Sequence, residues 1–130
     1  MTDDNPTSPS PSVGQYARTE NFISTYANSV MFESNAWDLK IIFGQIDTAD
    51  LIKQHLAVSI PWAQAKLMLY WLRLQVEMME STVGKIPIRK DLIPPEPVPP
   101  PPESEEANKP ETKKLLELIQ KYREEFIASL

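Results

Sequence analysis

Between Pro61 and Val83 the chain carries no internal helix breaker, and its apolar residues fall on both faces of a helix. One stripe, Trp62, Ala65, Leu69, Leu72, Val76, Met79 and Val83, recurs at alternating three and four spacing, the pattern of a face packed on a core. A second set, Leu67, Met68, Trp71, Leu74 and Met78, lies on the other side. A helix apolar nearly all round is buried on more than one side, so the second set is expected to meet another copy of the chain. Ser59 is the expected N-cap and Pro61 an expected first-turn residue, while Gly84 with Pro87 beyond it is expected to end the helix.

Upstream the period changes to two. In Thr25–Ser34, Tyr26, Asn28, Val30 and Phe32 alternate with Ala27, Ser29, Met31 and Glu33. From Trp37, Leu39, Ile41 and Phe43 alternate with Asp38, Lys40 and Ile42, and Leu56, Val58 and Ile60 continue the pattern in His55–Ile60. Such alternation marks half-buried strands. Ser34-Asn35-Ala36 reads as the hairpin turn, Gly44 as a strand end suited to a bulge or a positive-φ turn, and Asp47–Lys53 as an exposed connection. Trp37 is expected to anchor the core. Asp38 is expected to satisfy backbone donors or pair with Lys40 or Lys66.

Downstream, Ile93–Pro110 is dominated by prolines, favours polyproline II and reads as a stiff spacer. Glu111–Leu130 then returns to helical spacing, with Leu115, Leu118, Ile119, Tyr122, Phe126 and Leu130 on one stripe and charged residues opposite. An isolated helix of this length is marginal in water, so its stripe needs a surface: its own core, another subunit or a different protein. The expected architecture is α+β. A three-stranded or four-stranded antiparallel sheet is followed by one long helix packed on it and a separate C-terminal amphipathic helix after the proline-rich linker. The corresponding segments are a disordered polar tail over 1–20, a core over 21–92, a linker over 93–110 and the contact helix over 111–130.

Composition narrows the function. A core of about 70 residues is marginal alone, which favours oligomers. With no cysteine there is neither disulfide staple nor thiolate metal site. A net charge of −5 weighs against a nucleic-acid surface; the small basic group Lys85, Arg89 and Lys90 is expected to solvate the helix exit. No signal peptide or membrane span is visible, and cytoplasm is the default location. The single histidine, His55, has no companion for metal binding or nucleophilic chemistry. The i,i+3 pair Glu77 and Glu80 reads as a solvated edge, and there is no phosphate loop. No catalytic, metal or cofactor residue is assigned.

The order Tyr26-x-Asn28-x-Val30, then Asn35-x-Trp37-Asp38-Leu39-x-Ile41-x-Phe43-Gly44-Gln45, then Ser59 ahead of Ala65-Lys66, resembles the small prokaryotic family called domain of unknown function 3467. The resemblance covers about residues 22–88. It departs where Ile60 separates Ser59 from Pro61, residues that adjoin in the family. It implies a sheet-plus-helix domain with Tyr26, Asn28, Trp37, Asp38, Phe43 and Gly44 as motif positions, and it implies no activity. The resulting expectation is a non-enzymatic homo-oligomer, a dimer in its simplest form, with a tethered helix able to contact an unknown protein. The alternatives are a chaperone-like adaptor presenting Met68, Met78 and Met79 to apolar clients, and a small nucleic-acid-associated regulator.

Overall fold

The computed structural model describes residues 15–48 and 50–130. The polar tail read from the sequence lies outside them as far as Gly14. The layout is α+β: strands β1 (Ser29–Ser34), β2 (Asp38–Ile46) and β3 (Ile52–Pro61), then helices α1 (Trp62–Val83), α2 (Glu105–Asn108) and α3 (Pro110–Ala128). The chain divides into two compact units, Met1–Ala65 and Lys66–Leu130, the division falling within α1.

In the first unit the strands form one antiparallel sheet in the order β1-β2-β3. Directly opposed residues of an antiparallel pair share a face. Val30 opposes Phe43 and Phe32 opposes Ile41, while Leu39, Ile41 and Phe43 oppose Ile60, Val58 and Leu56. The alternation in the sequence therefore assembles one apolar face. Its centre, Ile41, is 5% exposed because Phe32 and Val58 flank it on both neighbouring strands. Among the described residues it is the only buried apolar side chain; Val30, Phe32 and Val58 around it remain exposed.

Several local expectations are corrected. β1 begins at Ser29, leaving Tyr26 and Asn28 ahead of it. The hairpin turn is centred on Ala36-Trp37, not on Asn35, because the Asn35 side-chain oxygen accepts from the amides of both Trp37 and Asp38 (2.7 and 2.9 Å). The Asn35 amide donates to the Asp38 carbonyl and closes the turn. β2 continues past Gly44 to Ile46, and β3 starts at Ile52, inside the expected connection. Ser59 is not a cap: it sits in β3 opposite Lys40, and Pro61, opposite Asp38, is the last strand residue. The ladder to β2 holds both residues in extended backbone, so the helix starts one residue late.

Gly44 is a bulge site. Phe43 opposes Leu56 and Gly44 opposes Gln54, so His55 is an extra residue on β3. The bulge reverses the alternation beyond it. Gln54 accordingly reaches the opposite face, where its side-chain amide donates to the Met31 sulfur at 3.9 Å. Gly84 ends α1 as expected: at φ +94° its amide donates to the Glu80 carbonyl.

Candidate functional site

The residues assigned to self-association lie on α1. Its first turn has no acid and its last no base, and Pro61 before it offers no capping oxygen, so little beyond side-chain packing is available to hold it. Yet none of its residues is buried. Leu67, Trp71, Leu74 and Met78 are exposed, Trp71 to 52%, and Met68 is half-buried. Tyr70 packs edge-on against Trp71 with ring centroids 4.9 Å apart, which fixes the indole as part of an aromatic pair. The stripe expected to face the core is equally open: Trp62, Leu69, Leu72, Val76, Met79 and Val83 are all exposed. The expectation that this stripe is covered is not met among the described residues.

The proline-rich stretch is more than a spacer. The Arg123 Nε donates to the Pro94 carbonyl at 2.8 Å, and its guanidinium lies 3.8 Å from the Glu96 carboxylate. Arg123 is thereby tucked to 19% side-chain exposure. Pro97 and Pro99 line a shallow recess with Leu116 and Gln120, so the extended segment doubles back along the helix that follows it. Leu116 was missed by the sequence reading because it lies off the main stripe. α2 was missed as well; it is a single turn capped by Ser104, whose hydroxyl accepts from the Ala107 amide. The predicted stripe survives as the other side of α3. Leu115, Leu118, Ile119, Tyr122 and Phe126 line an open apolar concavity of about 530 Å³ together with Pro94 and Arg123. Leu130 is exposed beyond it.

The motif residues split. Asn28 is structural: its amide donates to the Gly44 carbonyl and its side-chain oxygen accepts from the Ile46 amide, both near 3 Å. Phe43 belongs to the apolar face, half-buried, near Phe22 and Leu56, whereas Tyr26 is exposed. Trp37, the expected core anchor, is 85% exposed at the hairpin tip. Asp38 accepts from the Asn35 side-chain amide at 3.0 Å instead of binding a lysine, and Lys40 pairs with Glu33 directly across the sheet. The indole that does hold the hairpin is Trp62, whose N–H donates to the Asn35 carbonyl at 2.9 Å.

The polar candidates are engaged locally. Lys85 donates to the Ser129 carbonyl at 2.8 Å, and Arg89 forms a two-pronged pair with Asp91, so two of the three residues of the small basic group are held in local contacts and one of them, Arg89, is paired with a carboxylate. Glu80 accepts from the Ile86 amide past the helix end, satisfying a backbone donor. His55 sits exposed in the bulge. No group of three or more metal-ligating side chains occurs among the described residues. No helix among them is long and apolar enough to cross a membrane. No family model, curated protein or solved structure matches the chain.

Proposed function

We propose that this chain is a non-enzymatic self-associating interaction module, in which α1 packs against α1 of a second copy through Leu67, Met68, Trp71, Leu74 and Met78. The observation that carries it is the absence of any buried residue along a helix with large apolar side chains on both faces. Fully burying one such side chain is worth roughly 1.5–3 kcal/mol, and aromatic residues dominate the centres of protein interfaces. The apolar side of α3 serves as a second contact surface, pre-shaped by its proline-rich companion. Cytoplasmic residence fits the absence of cysteine. The resemblance to domain of unknown function 3467 implies an architecture and no activity, so it leaves this reading unchanged.

Light scattering on the full chain tests the proposal. The wild type is expected to be a dimer or larger, and Trp71→Glu, which places a charge in the seam, to be monomeric or insoluble. An unchanged mass with unchanged circular dichroism removes the seam. A client-binding role draws on the exposed Met78 and Met79 of the same helix; a stoichiometric complex with a denatured test protein would favour it over self-association.

A further inference from the structure

The sheet has two edges, and they are not alike. β1 is short and carries Glu33, which is held by Lys40 across the pair. β3 is ten residues long, about 33 Å at roughly 3.3 Å per residue, and among the described residues pairs on one side only. Proteins blunt free edges with charge, proline, bulges or short strands. On β3 these devices are confined to the ends: Lys53 and the His55 bulge at one, Pro61 at the other. The intervening run from Leu56 to Ile60 carries no charge, proline or irregularity.

We propose that this run pairs antiparallel with the same run of a second copy, joining two three-stranded sheets into one of six strands; the proposal rests on the self-association reading and gives it a second seam. The run is self-complementary. Leu56, Val58 and Ile60 alternate with Ala57 and Ser59, so two-fold pairing centred on any of its residues sets large apolar residues opposite one another on one face and small ones on the other. Lys53 lies outside the run, so no like charges are opposed within it. The apolar face built on Ile41 then continues across the dimer axis. A foreign peptide would satisfy the backbone equally well, but would continue that face only if it carried the same alternation.

Amide hydrogen exchange on the purified full chain, read residue by residue by NMR, tests this. At a free edge every second amide of Leu56–Ile60 faces water and exchanges quickly, whereas in a six-stranded sheet both sets are protected. The expected result is that the outward set slows by at least about tenfold in the associated protein and returns to fast exchange on dilution. A mixture of isotope-labelled and unlabelled chains should also show contacts between copies within this run. Associated protein whose outward amides stay fast overturns the edge pairing while leaving self-association intact. A chain that is monomeric at every concentration overturns both, and outward amides slowed to the same extent at all dilutions show that the cover comes from within the chain.

Discussion

The three glycines include two whose substitution should separate steric crowding from backbone conformation. A Cβ on Gly44 would lie 2.9 Å from the Lys53 carbonyl oxygen and 3.2 Å from the Gln54 Cα, so backbone on β3 would have to move. Around Gly84 there is open space, and only its φ of +94° resists a side chain. Gly44→Ala is therefore expected to cost about 2–3 kcal/mol and Gly84→Ala about 1 kcal/mol, measured by urea unfolding; equal costs would contradict the bulge geometry. Gly44 was legible as a bulge or a positive-φ turn from its place after an alternating run, and the register decides for the bulge. Trp37 was not legible. A large apolar residue beside a strand reads as core, and only the two hydrogen bonds accepted by the Asn35 side chain move the turn onto it.

Elements were legible wherever a periodic pattern outlasted its ends. The eight apolar residues of the sheet face were assigned to one side by alternation, and the register places them opposite one another. Strand ends were harder to read, because Ser59 and Pro61 suit a helix start as well as they suit an edge strand. The fold-back of Pro94–Pro99 on α3 was hidden for a different reason: polyproline II has no internal hydrogen bonds and no amphipathic period, so the sequence offers no sign of what it lies against. Arg123 carries that contact. Arg123→Ala should release the extended segment while α3 stays helical, costing about 1–2 kcal/mol locally because the charged hydrogen bond is only partly screened. NMR shifts at Pro97 and Leu116 should then move together toward values for free segments, and unchanged shifts would show that the prolines hold without the guanidinium. The apolar stripes of α1 and α3 were legible, but what covers them was not, because a stripe specifies a need for burial and leaves the partner open.

At the scale of the molecule, one buried apolar side chain among the described residues is too little to stabilise a fold of this length by itself. On the proposed self-association, folding and association are one equilibrium, and stability depends on how much protein is present. The melting temperature of the wild type should rise by several degrees over a hundredfold increase in protein concentration. That of any soluble Trp71→Glu protein should stay flat, whereas a concentration-independent wild type would mean that the single chain folds alone. The open ring of Val30, Phe32 and Val58 around Ile41 has a further consequence on this reading. A newly made chain is vulnerable to proteases until it meets a second copy, so the rate of synthesis sets how much survives, and chains made too sparsely to pair are cleared.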